Sequence, residues 1–217
     1  MGFGLLAGLH VSAAQAQDLV STSVRVIDGD TLKINGETLR LHGIDAPELA
    51  QKCITSTGKT WACGQQSKAH LKSLTDNSTI RCTRRERDAY DRIVSICYVG
   101  KTDLNADMVR SGQALAFAKY SADYTAQEAK AAAQKTGVWS GYFERPWDYR
   151  ASKWQAANQH APKGCPIKGN ISKAGRIYHT PWSAHYARTR INEAAGERWF
   201  CSEEEAIAAG WRAPASS

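Results

Sequence analysis

The sequence predicts an α+β chain: a five-stranded β-barrel wrapped by three helices, followed by a small α+β C-terminal domain. Three observations predict it. Short runs of alternating apolar residues recur between Ser21 and Gly43, two more strand-like runs straddle a tight turn, and three later segments carry helical spacing with stop signals.

The alternation pairs Val24 with Val26, Leu32 with Ile34, and Leu39 with Leu41, which reads as a β-meander. Asn35-Gly36 separates the last two runs and is a hairpin signal, because both residues tolerate positive φ. Cys53 to Gly64 is a polar loop rich in Thr, Ser and Gly, and Gln65 to Asp76 reads as a helix with Ala69, Leu71 and Leu74 on its apolar side. Thr79–Thr83 and Ile93–Val99 are the next strands, turning near Ala89-Tyr90. Asp103 to Ser111 is a short helix stopped by Gly112, and Ser121 to Lys135 a longer, alanine-rich one closed by Gly137. Five strands and three helices in this order outline an OB-fold barrel. Residues 141–163, rich in Trp, Tyr and Arg, are expected to pack on it. Pro162, Gly164 and Pro166 mark a boundary, beyond which Arg176–His179 and Arg198–Cys201 read as strands and Glu203–Ala209 as a helix. The expected organisation is therefore a leader at 1–16, a barrel domain at 20–141, a connecting segment at 142–163 and a C-terminal domain at 164–214.

The leader rests on an apolar Gly2–Val11 stretch followed by Ala14-Gln15-Ala16, a small-x-small cleavage pattern, although a basic n-region is lacking. It is too short to span a bilayer, for which about 20 apolar residues are needed, so the mature chain is expected to carry no transmembrane segment and to be secreted or periplasmic. Six cysteines agree with an oxidising compartment. Sequence alone leaves fifteen pairings; the favoured set is Cys53–Cys63, which would close a short loop, Cys82–Cys97, symmetric about the 89/90 turn, and Cys165–Cys201, which would staple a domain too small for a large core. No CxxC pair is present, which argues against a zinc knuckle or a thioredoxin-like site. The net charge of +7 favours polyanionic partners.

Four short pieces carry chemistry: Ile27-Asp28-Gly29-Asp30-Thr31, Arg40 to Glu48, Asp88-Ala89-Tyr90-Asp91-Arg92, and Ala116 to Tyr120. Hydrolysing a phosphodiester requires an oriented, deprotonated water and stabilisation of charge on the phosphoryl oxygens. Asp30 and Asp45 are hard oxygen donors for a divalent cation. Glu48, beyond the Pro47 turn, is placed to hold a water, and Arg40 and Arg92 can fork onto phosphate oxygens. Each piece alone has a plainer reading: a turn for Asp28-Gly29-Asp30 and for Asp45, a solvent-facing charge for Arg40, packing for Tyr90 and Tyr120. Their order and spacing together favour the chemistry. The alternative is an OB-fold nucleic-acid- or envelope-binding protein without catalysis.

From Val24 to Ser140, with Ile-Asp-Gly-Asp-Thr, Arg…Asp-x-Pro-Glu, Asp-x-Tyr-x-Arg and Asn-Ala-Asp-Met-Val-Arg-Ser-Gly in order, the chain resembles the thermonuclease (staphylococcal nuclease-like) family. The resemblance implies a Ca²⁺-dependent endonuclease acting on DNA and RNA and leaving 3′-phosphates. By position it implies Asp30, Asp45 and the Ala46 carbonyl as calcium ligands, Glu48 as general base, Arg40 and Arg92 as phosphate clamps, and Tyr90 and Tyr120 as nucleotide contacts. Ala46 stands where the family has Thr, Asp91 where it has Gly, Ala89 where a basic residue is expected, and Ala118 in place of a second pocket tyrosine. The Asp91 change puts the aim of Arg92 in question.

The C-terminal segment is distantly similar to the zinc-binding domain of the adaptive-response DNA repair protein. His179 and Ser183 stand at the first pair of zinc positions and the tail has no cysteine, so the resemblance does not extend to a metal site. Its basic and aromatic residues (Lys168, Lys173, Arg176, Tyr178, Arg188, Arg190) are candidates for nucleic-acid or envelope contact, beside plain solvation.

Overall fold

The computed structural model describes residues 18–214, so the expected leader lies outside the described residues. The elements run β1 (Leu19–Ser21), β2 (Val24–Val26), β3 (Thr31–Ile34), β4 (Glu37–Leu41), β5 (Ile44–Asp45), β6 (Cys53–Thr55), β7 (Thr60–Trp61) and α1 (Cys63–Thr75). They continue with β8 (Ile80–Arg87), β9 (Ile93–Val99), β10 (Thr102–Asp103), α2 (Leu104–Arg110), β11 (Leu115–Ala116), α3 (Thr125–Gln134) and β12 (Gly141–Tyr142). The last are α4 (Pro146–Asn158), β13 (Ile167–Ser172), β14 (Gly175–His179), β15 (Arg198–Phe200) and α5 (Glu203–Ala208).

The five expected strands lie in one sheet of order β1-β8-β9-β4-β3-β2, with β10 added against β9. Asn35 and Gly36 both take positive φ, and the β3–β4 hairpin pairs Ile34 with Glu37 around them. The β4–β9 ladder is parallel. The closed five-stranded barrel is not what forms. The sheet has seven strands and stays open, with no ladder between β2 and β1 among the described residues. The two ends of the order are nonetheless neighbours in the chain: β1 pairs with β8 and β2 with β3, and only Thr22 and Ser23 lie between them. The curled sheet still encloses a core of Leu32, Ile34, Leu39, Leu41, Ile80 and Ile93, sealed by Leu71 of α1 and by Leu104, Met108 and Val109 of α2.

Buried Asn105 of α2 stitches the ends of β4 and β9. Its Oδ1 accepts from Cys97 N (3.1 Å), and its Nδ2 donates to His42 O (3.0 Å) and Ser95 O (3.2 Å). Those backbone groups lie where the ladder ends, and Asn105 satisfies them in the absence of water.

The Cys53–Gly64 segment is more ordered than a loop. It forms the β6–β7 hairpin, onto which β12 adds. Residues 146–158, expected only as packed connector, form helix α4. Its apolar residues do not share one face, because Trp147 packs on the cluster of Cys53, Cys63, Leu115 and Val138, while Trp154 packs on a C-terminal core. That core is Ile167, Tyr178, Phe200, Ala206 and Trp211 under the sheet β14-β13-β15. Strand β13 was not expected from the sequence. All three anticipated disulfides are present: Cys53–Cys63, Cys82–Cys97 and Cys165–Cys201. Cys82 and Cys97 are direct cross-strand partners. Among the described residues no helix is long and apolar enough to cross a membrane.

Candidate active site

The Asp28-Gly29-Asp30 turn delivers Asp30 to the start of β3. Asp28 Oδ1 accepts from Asp30 N (3.1 Å), which closes the turn. Gly29 is required by close approach: a Cβ there would collide with the Ser67 side chain on α1. The motif therefore forms the expected turn. Asp30 is buried, and its Oδ2 accepts from Ala46 N (2.7 Å) while Oδ1 accepts from Thr31 Oγ1 (3.1 Å) and pairs with Arg40.

Arg40 on β4 lies opposite Thr31 in the ladder. Its guanidinium joins the two acidic residues, pairing with Asp30 through Nη1 and donating to Asp45 Oδ1 through Nη2 at 2.8 Å. Asp45 is fully buried, at 0% exposure, so its charge depends on such partners. The second partner was not anticipated. Arg150 of α4 donates to Asp45 Oδ2 (2.8 Å), to Asp45 Oδ1 (3.1 Å) and to Glu48 Oε1 (2.8 Å). Glu48 is held from behind by buried Gln51, whose Oε1 accepts from Glu48 N (3.1 Å) and whose Nε2 donates to Glu144 O (2.6 Å). Burial pushes the Glu48 carboxyl up to about 7, against the pull of Arg150, and the carboxylates of Asp28 and Asp45 add to the rise.

Arg92 enters from the β8–β9 hairpin. Asp91 takes positive φ (61°), so the turn for which glycine is the usual residue survives with Asp in it. Asp88 then fixes the arginine: its Oδ1 accepts from Arg92 N (2.9 Å) and its Oδ2 from Arg92 Nε (2.8 Å). The Arg92 guanidinium lies 5.1 Å from the Tyr90 ring centroid. Burial raises Asp28, while the guanidiniums of Arg40 and Arg92 act to lower it.

Asp28, Asp30, Arg40, Ala46, Glu48, Arg92 and Arg150 line one cleft of about 1180 Å³ together with Tyr90 and Tyr120, whereas fully buried Asp45 is not part of the lining. Tyr120 is largely exposed, at 70%, and leans on Phe117, which stacks on Trp147. The opposite wall comes from the C-terminal segment, through Tyr178, Trp182, Glu203, Glu204 and Arg212. Burial, then Glu203 and Glu204, push the Tyr90 hydroxyl up to about 12, which puts the two glutamates beside Tyr90. Of the basic and aromatic residues expected to form a contact patch, Lys168 and Tyr178 are instead buried. Lys168 Nζ donates to Tyr186 O (3.0 Å) and Thr189 O (2.9 Å).

The donor chemistry fits a hard divalent cation. Asp30, Asp45 and the Ala46 backbone offer only oxygen, and the Arg40 guanidinium already bridges the two carboxylates as a cation. Among the described residues no three His, Cys, Asp or Glu side chains gather where together they could hold a metal ion.

Sequence reasoning missed Arg150 and Glu203. Pro146 at the first helical turn with Asp148 behind it is a helix-start signal that could have found α4, but nothing local points its arginine at residues about a hundred positions away.

Comparison with known proteins places these elements. A family model described as staphylococcal nuclease homologue matches residues 38–141, and one described as ArfC matches residues 148–213. The second match covers most of the C-terminal segment. The chain is 32% identical to the succinoglycan biosynthesis protein ExoI of Rhizobium meliloti, over 83% of this chain and 84% of that protein. It is 33% identical to the micrococcal nuclease of Shigella flexneri, over 69% of this chain and 91% of that enzyme. An uncharacterized endonuclease of Escherichia coli is 33% identical over 63% of this chain and 88% of its own length. With relatives of that identity covered over most of their length, the chain belongs to the staphylococcal nuclease homologue family.

Proposed function

We propose that this chain is an exported, calcium-dependent endonuclease that hydrolyses phosphodiester bonds in DNA and RNA and leaves 3′-phosphate ends. The observation that carries the reading is the single Arg40 guanidinium paired with both Asp30 and Asp45, in a cleft shared with Glu48 and Arg92. Nuclease relatives support the reaction class.

The residues divide the work. Glu48 orients a water and takes its proton as the water oxygen attacks phosphorus. The bond from phosphorus to the 5′-oxygen breaks, and that oxygen leaves with a proton from solvent. Arg40 and Arg92 meet the charge growing on the phosphoryl oxygens, and Asp88 keeps Arg92 aimed. Asp30, Asp45 and the Ala46 carbonyl would hold calcium, which supplies Lewis-acidic charge beside the scissile phosphate. Tyr90 and Tyr120 offer ring faces to the nucleotide at the rim. Three disulfides support folding in an oxidising compartment, in keeping with a leader at residues 1–16. A nuclease-like domain at 20–141, a connector at 142–163 and a C-terminal domain at 164–214 are the proposed organisation.

End-group analysis of digested single-stranded DNA tests the reading. Wild-type protein is expected to yield 3′-phosphates. Arg40→Ala should lower turnover by about 10²–10³-fold, and Glu48→Gln by about 10²–10⁴-fold, with the fold checked by melting. Products with 3′-hydroxyls, or a mild effect at both positions, would refute it.

A further inference from the structure

We propose that Arg150 is a positioning residue of this site: a resident counter-cation that neutralises Asp45 and Glu48 before a divalent ion enters, then cedes Asp45 to that ion while keeping Glu48. The inference rests on the nuclease reading above and adds to it a residue from the C-terminal matched segment.

The geometry is specific. Both oxygens of Asp45 are taken, Oδ1 by Arg40 and Arg150 and Oδ2 by Arg150. A cation that binds Asp45 competes with these guanidiniums for its carboxylate. Arg40 is also committed to Asp30, through its other terminal nitrogen. Arg150 is the one that can yield, because its other partner is Glu48, whereas Arg40's other partner, Asp30, is itself a proposed ion ligand. Arg150 is also the sole salt-bridge partner of Glu48 among the described residues. One guanidinium thus touches both a proposed ion ligand and the proposed base. Entry of the ion at Asp45 leaves Arg150 holding Glu48 alone, with a nitrogen released toward the cleft.

The mounting of Arg150 supports the role. Helix α4 is pinned one turn before it, where Trp147 stacks on Phe117 with ring centroids 5.3 Å apart. It is pinned again one turn after it, where Trp154 packs on the C-terminal core and lies 6.3 Å from Trp182. Residues four apart share a helix face, so seating Trp154 fixes the side from which Arg150 reaches the cleft. A solvent-facing arginine needs neither anchor. Replacing it with lysine would keep a charge but lose the fork that spans two carboxylates.

The test uses full-length protein as wild type, Arg150→Gln and Arg150→Lys. Calcium affinity without nucleic acid is measured by calorimetry, Tb³⁺ binding by luminescence, and kcat and KM on single-stranded DNA. Arg150→Gln is expected to bind Ca²⁺ about tenfold more tightly, as a competing charge is gone, while kcat falls about tenfold to a hundredfold because Glu48 loses its partner. Arg150→Lys should return cation affinity toward wild type without restoring kcat. Arg150→Met, which keeps an aliphatic stem on α4, replaces the Gln variant if that one does not fold. Affinity that is unchanged or weaker in the Gln or Met variant overturns the proposal, as does a fall in affinity, kcat and melting temperature together, which marks a mere strap. Wild-type protein that neither binds calcium nor cleaves would overturn the nuclease reading as well; wild type that cleaves, beside a variant that binds no tighter, overturns the Arg150 role alone.

Discussion

Replacing Asn105 with alanine removes three hydrogen bonds from the point where the chain leaves the main sheet for the site. The residue is fully buried, and its partners are Cys97 N, His42 O and Ser95 O. Ser95 O keeps a second donor, His42 N at 2.8 Å. The loss therefore strands two backbone groups, the buried Cys97 N–H and the part-buried His42 carbonyl. At about 1–2 kcal/mol for each group left without a partner, the expected cost is about 3 kcal/mol. For a chain of this length that is a fall in melting temperature of about 6–12 °C. Turnover should fall as well, because His42 lies between Arg40 and Asp45 and its carbonyl fixes that turn. Asn105→Asp keeps the acceptor for Cys97 N but sets a carboxylate against two carbonyls, and should be no milder. Urea and thermal unfolding of the three proteins decide it. A loss below about 1 kcal/mol for both variants, the range of ordinary surface changes, would refute the stitching role.

Three further outcomes are expected. The Cys165–Cys201 bridge closes the longest loop, with a separation of 36 residues against 15 and 10 for the others. Chain entropy then makes it worth about 4 kcal/mol, so Cys165→Ser with Cys201→Ser should lower the melting temperature more than the same change at Cys53 and Cys63, and the reverse order would count against the entropy argument. Burial, aided by His185, Arg188 and Lys168, lowers His179 to about 4. A histidine depressed in the folded state binds fewer protons than in the unfolded chain, so stability is intact above pH 6.5 and drains away as pH falls toward 4, by about 2 kcal/mol; His179→Gln should flatten that part of the stability–pH curve, and an unchanged slope would refute the assignment. Glu203→Gln with Glu204→Gln removes two acidic groups from the wall facing Tyr90. KM for single-stranded DNA should drop about threefold to tenfold at low salt and converge with wild type at high salt, whereas equal KM values at low salt would show that the wall does not meet the substrate.

The part of this architecture written in local pattern could be read from the sequence. Alternation placed β2, β3 and β4, Asn35-Gly36 placed their hairpin, and symmetry about residues 89 and 90 paired Cys82 with Cys97. Helix α2 follows its spacing, and its Asp103 side chain caps Ala106 N. What escaped depends on distant surfaces. The segment from Leu19 to Val26 splits between the two ends of the sheet, β1 on β8 and β2 on β3, which no strand pattern records. Helix α4 spends its tryptophans on two different cores, which erases the single apolar stripe that marks a helix. Arg40, Asp30 and Asp45 are close in sequence and their meeting was legible; Arg150 joins them only through the tertiary seat of α4. Lys168 shows the converse, a basic residue in an apparent surface patch whose ammonium is consumed by two carbonyls and the Tyr186 ring.

The account stands most directly on cleavage that needs calcium. Purified protein is incubated with single-stranded DNA and with RNA across a calcium titration, then with excess chelator and with calcium restored. Both polymers should be cut internally in proportion to calcium, stop on chelation and resume on its return. Cleavage that continues unchanged in chelator, or intact polymers at every calcium concentration, would contradict it.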